Sequence, residues 1–212
     1  HTDGILSDVD RLERKAIGLD AEPGAGWAAR SKPRIVVLVV GETARSANWG
    51  LSGYARQTTP QLAQLAQRAV INFSDVSACG TSTEVSPPCM FASVGRRRYD
   101  EARIRGSESL LHVAARAGVA VHWRDNQSGC KGVCEGLSHD TVNAALAPGL
   151  CQANRCWDEG LLRGLDERLR GLHGGRGTQL LVLHMLGNHG PSYFRRYPPA
   201  FERFTPVCRN DD

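Results

Sequence analysis

Four stretches of the chain carry the hydrophobic pattern of a buried β-strand. A run of mostly β-branched residues fills 34–40, and further short runs follow at 70–76, 119–123 and 179–185. Short apolar runs bounded by polar or turn-forming residues are typical of strands in the interior of a sheet. We therefore predict a strand over each of these ranges.

Helical patterns alternate with these runs. Residues 60–69 place Leu62, Leu65 and Ala66 at helical spacing, 108–117 form a similar segment that ends at a glycine, and 157–172 form a third that closes with two glycines. Strands that alternate with helices indicate a parallel sheet covered on both faces. The class predicted is α/β.

Two segments fall outside this alternation. Residues 1–20 have a helix-compatible pattern, and the Pro- and Gly-rich stretch 21–26 then breaks it as a linker does. Residues 126–156 are rich in Gly, Ser and Cys and are long for a connection, so we expect a functional loop.

Length and charge narrow the classes of function. The 212 residues suffice for one globular domain with a core, and the net charge is +4. A mildly basic surface is usually just solvated, but it also favours an anionic partner such as a phosphorylated lipid head group. Nucleic acid is not expected as a partner, because aromatic residues make up only 6% of the chain and no basic stripe is interleaved with them.

Six of the seven cysteines fall into close pairs: Cys79 with Cys89, Cys130 with Cys134, and Cys151 with Cys156. Three local disulfides are the preferred interpretation, and a structural zinc cluster with irregular spacing is the alternative. Disulfides would imply an oxidising compartment. Cys208 is left without a partner among these pairs.

Two short motifs carry candidate chemistry: VVGETAR at 39–45 and CGTSTEVSPPC at 79–89. The first places the carboxylate of Glu42 just past a strand, where open α/β sheets gather their ligands. The second offers a hydroxyl nucleophile between two cysteines. Taken alone, Glu42 would be an exposed loop residue and the Ser/Thr triplet an ordinary turn or helix cap.

These motifs, with three others in the same order, resemble the lipid A phosphoethanolamine transferases, the family that includes the mobile colistin-resistance enzymes. The other three motifs are WRDNQSGCKG at 123–132, HMLGNHGP at 184–191 and FTPVC at 204–208. The resemblance implies an alkaline-phosphatase or sulfatase-like sandwich with a mostly parallel central sheet. It also implies that 1–33 connect to a missing membrane region and that 34–212 form an incomplete catalytic domain.

The resemblance further assigns roles to residues. Thr83 matches the nucleophile, activated by zinc that Glu42 and Thr83 itself help to hold, with the remaining ligands expected beyond Asp212. His189 would bind the phosphoryl group or a second zinc, or protonate the leaving alkoxide. We interpret His184 instead as a buried structural histidine.

The long loop would hold the donor head group through Asn126, Gln127 and Lys131. Lysine suits this role as a point charge for phosphate.

The implied reaction moves phosphoethanolamine from phosphatidylethanolamine to a lipid A phosphate through a covalent threonine intermediate, and would confer polymyxin resistance. Such an enzyme works at the periplasmic face of the bacterial inner membrane, held by N-terminal helices. The alternatives are a related metal-dependent phosphodiesterase or phosphoglycerol transferase, and an inactive fragment. We also expect the 212-residue chain to associate, because an incomplete sheet leaves apolar edges exposed.

Overall fold

The computed structural model describes residues 14–27, 30–153, 155–170 and 177–210. The strands in these ranges are β1 (Arg34–Val40), β2 (Val119–Asp125), β3 (Ser138–Thr141), β4 (Cys151–Gln152), β5 (Arg155–Cys156) and β6 (Thr178–His184). The α-helices are α1 (Pro60–Leu65), α2 (Ser86–Met90), α3 (Glu101–Arg105), α4 (Leu110–Arg116) and α5 (Leu165–Arg170). Short 3-10 turns lie at Ser46–Asn48, Gly50–Ser52, Arg96–Arg98, Asp158–Leu162, Tyr193–Arg195 and Pro199–Phe201.

The central sheet has four strands in the order β1-β6-β2-β3, and every pair in it is parallel. The predicted α/β class with a mostly parallel sheet is therefore confirmed. His184 is in register with Val40 on one side and with Asp125 on the other. The carboxyl ends of β1, β6 and β2 thus meet in one row.

A hydrophobic core covers each face of the sheet. On one face Trp123 and Val182 pack with Leu111 of α4 and with Phe91. On the other, Leu181 and Leu183 pack with Leu161, Leu165 and the side chains of the hairpin formed by β4 and β5. Strands buried on both faces need apolar residues at consecutive positions, which explains the apolar run LLVL at 180–183 in the middle of β6.

The chain packs into two compact units. The first comprises the described residues up to Val40 together with Ala78–Met185, and it contains the whole central sheet. The second comprises Gly41–Ser77 and the described residues from Leu186 onward, and it contains α1 and four of the 3-10 turns.

The predicted strand at 70–76 is wrong. These residues form no strand, and the side chains of Ile71, Phe73 and Val76 are 83%, 75% and 75% exposed. A β-branched run favours extended backbone, but only a neighbouring strand or a packed face turns it into sheet.

The predicted helices are shorter than their patterns. The segment 157–172 splits into the 3-10 turn Asp158–Leu162 and α5, because Gly164 between them adopts a φ of +68° that no helix allows. Its residues 171–172 lie outside the described ranges. The helix predicted at 60–69 ends at Leu65.

The predicted helical pattern over 1–20 falls largely on residues outside the described ranges, and 14–20 form no helix. Lys15 instead makes a parallel β-bridge with Ser107, and Arg14 donates to the Gly132 carbonyl at 2.5 Å. Among the described helices, none has the length and apolar character needed to cross a bilayer.

Candidate active site

Thr83 lies in a tight turn directly before α2. The Ser82 carbonyl accepts N–H bonds from Val85 at 3.2 Å and from Ser86 at 2.9 Å. The Cys79–Cys89 disulfide closes the segment, with its Cα atoms 6.2 Å apart, and Cys89 is only 1% exposed. The turn is therefore held at both of its ends.

The side chain of Gln127 contacts the candidate nucleophile. Its Nε2 donates a hydrogen bond to Thr83 Oγ1 at 2.9 Å, across 44 positions in the chain. The structure thus brings together two residues that the resemblance assigned to nucleophile and head-group binding. Because Oγ1 accepts this N–H, the hydroxyl's own proton is not used in the bond to Gln127.

Asp125 fixes the backbone that carries Gln127. Its Oδ2 accepts the N–H groups of Gln127 and Gly129, both at 2.9 Å. Its Oδ1 accepts the indole N–H of Trp123 at 3.1 Å and lies 2.7 Å from His184 Nδ1. Both lone-pair regions of the carboxylate are therefore used, and the loop leaving β2 is held in one conformation.

Asp125 and His184 are almost fully enclosed, at 3% and 1% exposure. Burial alone would raise the pKa of Asp125, but the hydrogen bonds from His184, Gly129 and Trp123 outweigh it and hold the pKa below its ordinary value. Because an ionised carboxylate only accepts, Nδ1 of His184 carries the proton of their bond. The role of Asp125 was not predicted from the sequence. The signal that could have identified it is its position at the end of a predicted strand, since His184 also lies at the end of one.

Asn126 lies beside these residues and is 8% exposed. Its Nδ2 donates to the Cys156 carbonyl at 3.0 Å and to Asp158 Oδ1 at 2.8 Å, and its backbone N–H donates to the His184 carbonyl at 2.9 Å. The amide hydrogens thereby tie the loop to the hairpin of β4 and β5. Contact between Asn126 and a substrate stays a prediction.

Lys131 forms an ion pair with Glu84, the residue that follows Thr83. The distance from Lys131 Nζ to Glu84 Oε1 is 2.6 Å, and the two side chains are 18% and 56% exposed. A groove beside this pair is lined by charged and small polar residues, among them Arg14, Arg105, Ser128, Glu135 and His139. The structure thus places a predicted phosphate-binding lysine next to the turn of the predicted nucleophile.

Glu42 and His189 belong to the second unit. Glu42 Oε1 accepts the hydroxyl hydrogen of Thr43 at 2.7 Å. The backbone of Glu42 packs closely against Gly187, whose φ is +53°. A Cβ added at Gly187 would lie 2.4 Å from the Glu42 carbonyl oxygen. His189 is exposed, and its Nδ1 lies 3.0 Å from the Gly190 carbonyl.

The described residues do not by themselves fit a bound zinc. Glu42 and Thr83 offer oxygen donors of the kind zinc accepts, but a protein zinc site normally has at least three protein ligands. Within the part of the chain that the structure describes, no group of three or more His, Cys, Asp or Glu side chains could hold a metal ion. Zinc binding, and a joint role for Glu42, Thr83 and His189, stay predictions.

The three predicted disulfides are confirmed: Cys79–Cys89, Cys130–Cys134 and Cys151–Cys156. The alternative of a structural zinc cluster built from these cysteines is therefore wrong. Cys208 is a free, exposed thiol. Its hydrogen bond with Tyr193 raises the pKa of that phenol.

Comparison with known proteins identifies relatives of the chain. The family model described as Sulfatase matches residues 34–212. Phosphoethanolamine transferase EptA of Escherichia coli K12 is 40% identical over 196 residues, which are 92% of this chain and 35% of that protein. Phosphatidylethanolamine transferase Mcr-1 of Escherichia coli is 43% identical over 187 residues, or 85% of this chain and 34% of that protein. The chain thus spans about a third of the length of these relatives.

A solved structure shows the same architecture. The soluble domain of lipooligosaccharide phosphoethanolamine transferase A from Neisseria meningitidis superposes with a TM-score of 0.83 at 42% identity. The match covers 94% of this chain and 58% of that one. The resemblance seen in the motifs extends to the whole described fold.

Proposed function

Because the chain belongs to the sulfatase family and is 40% and 43% identical to two phosphoethanolamine transferases, we propose that it takes part in transferring phosphoethanolamine from phosphatidylethanolamine to a lipid A phosphate. The observation that carries the proposal is the bond from Gln127 Nε2 to Thr83 Oγ1, on a turn closed by a disulfide. This bond supports the proposal because it orients a hydroxyl in a polar setting, as attack on a phosphoryl group requires.

In the first half-reaction Thr83 Oγ1 attacks the phosphorus of the donor. The Oγ1–P bond forms, the bond from phosphorus to the diacylglycerol oxygen breaks, and the hydroxyl proton ends on that oxygen. The Gln127 N–H favours this step because it stabilises the negative charge that grows on Oγ1 as the proton departs.

In the second half-reaction a phosphate oxygen of lipid A attacks the same phosphorus. The Oγ1–P bond breaks, and the proton of the acceptor phosphate returns to Oγ1, which regenerates Thr83. His189 is proposed to protonate the leaving alkoxide, which is one of the roles that the resemblance implies for it. Lys131 offers its positive charge to the phosphoryl oxygens.

Zinc is the proposed cofactor, with Glu42 and Thr83 among its ligands. When bound, such an ion lowers the pKa of a coordinated hydroxyl and offsets phosphoryl charge. The proposed location is the periplasmic face of the bacterial inner membrane, where both lipids are reached. Each transfer adds an amine to lipid A, which lowers its negative charge and would weaken the binding of cationic polymyxins.

Intact-mass spectrometry with peptide mapping tests the proposal. The chain is incubated with phosphatidylethanolamine, and we expect a phosphoethanolamine adduct at Thr83. Thr83→Ala should lose the adduct. Thr81→Ala, a change of an exposed hydroxyl in the same motif, should keep it.

Two outcomes would count against the proposal. An adduct that persists in Thr83→Ala would place the nucleophile elsewhere. Release of free phosphoethanolamine without transfer to lipid A would favour the phosphodiesterase alternative.

A further inference from the structure

The ion pair between Glu84 and Lys131, beside the candidate nucleophile Thr83, indicates how the site selects the head group of its lipid donor. We propose that Glu84 and Lys131 together recognise a zwitterionic head group, with Lys131 taking the phosphate and Glu84 taking the ammonium. This inference rests on the proposed function, and it adds a specificity-determining role for Glu84.

Glu84 directly follows Thr83 in the same turn, and Arg105 Nη2 donates to its backbone carbonyl at 3.4 Å. Its carboxylate meets Lys131 Nζ at 2.6 Å. Phosphorus and ammonium in an ethanolamine head group are separated by an oxygen and two carbons, so one head group is long enough to contact both side chains once their ion pair opens.

The surroundings leave Glu84 as the carboxylate suited to this role. The groove beside the pair is lined by three cationic side chains, those of Arg14, Arg105 and Lys131, and by two carboxylates. The second carboxylate, that of Glu135, pairs with Arg14 at 3.2 Å. A cationic groove attracts any phosphodiester, so selection among head groups needs a negative charge at the right place.

Replacing the ion pair between Glu84 and Lys131 with contacts to a bound head group is favourable for one class of head group only. Glu84 is 56% exposed, and an ion pair this accessible to water adds little stability, so little is lost when it opens. A zwitterion supplies an opposite charge to each partner. A glycerol head group supplies only the phosphate, which leaves Glu84 without its cation and close to another anion.

The test compares two donors in the full chain. Rates of adduct formation at Thr83 are measured by mass spectrometry with phosphatidylethanolamine and with phosphatidylglycerol, in matched detergent micelles. We expect wild type to prefer phosphatidylethanolamine. In Glu84→Gln that preference should fall about tenfold, the effect of losing one charge-assisted hydrogen bond, with the loss confined to the ethanolamine donor.

Two further variants make the result specific. Glu101→Gln removes a carboxylate of similar exposure, 58%, that pairs with Arg105 at 2.9 Å, and it should leave the preference unchanged. Glu84→Asp keeps the charge and should retain most of the preference.

The outcomes separate this inference from the function beneath it. An unchanged preference in Glu84→Gln, or an equal loss with both donors, overturns the role of Glu84 and leaves the transferase proposal standing. Absence of any adduct in wild type overturns both.

Discussion

At the scale of single residues, a buried carboxylate organises the neighbourhood of the candidate nucleophile. Asp125 accepts two backbone N–H groups of the loop that carries Gln127. It also forms a hydrogen bond with His184 of β6, the neighbouring strand in the sheet. Buried charges are retained in proteins when such bonds fully compensate the loss of water. Asp125 is therefore a positioning residue for Gln127 and, through it, for Thr83.

Asp125 should make the fold sensitive to acid. Since its pKa is below the ordinary 3.8, its ionised form stabilises the folded state at every pH above about 4, and this contribution is lost as pH falls through the lowered pKa. We expect Asp125→Asn to lower the free energy of unfolding at pH 7 by about 3 kcal/mol. Urea titrations at several pH values measure this; the exposed control Asp75→Asn should match wild type. Identical curves for Asp125→Asn and wild type would contradict the assignment.

Gln127 should matter to the rate of the first half-reaction. Removing its N–H from Oγ1 in Gln127→Ala should slow adduct formation at Thr83 about tenfold, the effect of losing one hydrogen bond of roughly 1.5 kcal/mol. Single-turnover mass spectrometry measures the rate. Gln152→Ala, at an exposed glutamine of β4, is the control and should not change it. Equal rates of adduct formation in the two variants would show that Gln127 does not contribute to the first half-reaction.

At the scale of elements, three strands of the sheet were predictable and the connections were not. The runs of β-branched and apolar residues place β1, β2 and β6 within two residues of their observed ends, because such residues favour extended backbone. The run at 70–76 also contains β-branched and aromatic residues, but it has no partner strand, and partners are set by topology. Likewise the contact between Thr83 and Gln127 joins two loops, and no local pattern reports it.

We expect the stability of the chain to depend on glycine at position 187, in the second unit. Its φ of +53° and its approach to Glu42 both exclude a Cβ. Gly53 has a φ of +94° with open space around it, so Gly53→Ala carries the backbone strain alone. We expect Gly187→Ala to destabilise the chain by at least about 1 kcal/mol more than Gly53→Ala, as overpacking does. Thermal unfolding compares the two variants, and equal losses would show that the turn adjusts freely.

At the scale of the whole molecule, the sheet has one apolar edge without a neighbouring strand among the described residues. β1 pairs only with β6, and its Val36, Val37 and Val39 are 43%, 47% and 55% exposed. An edge strand with exposed apolar side chains is a template for pairing with another chain. The described fold therefore leaves a surface that favours association.

We expect the 212-residue chain on its own to associate in solution. Light scattering after size-exclusion chromatography should give a mass above that of the monomer, and it should decrease on dilution. Val37→Lys should reduce the association because it places a charge on the edge. Ile71→Lys, at a position 83% exposed but outside the sheet, is the control. A monodisperse monomer that melts cooperatively would contradict the expectation.

The spacing of the disulfides bears on how the protein is made. Their partners are separated by 10, 4 and 5 positions in the chain. Short loops close with the smallest loss of chain entropy, so each thiol meets its native partner before a distant one. Six cysteines allow 15 sets of three pairs. Local closure therefore favours the native set over the others, before the parallel sheet has to assemble.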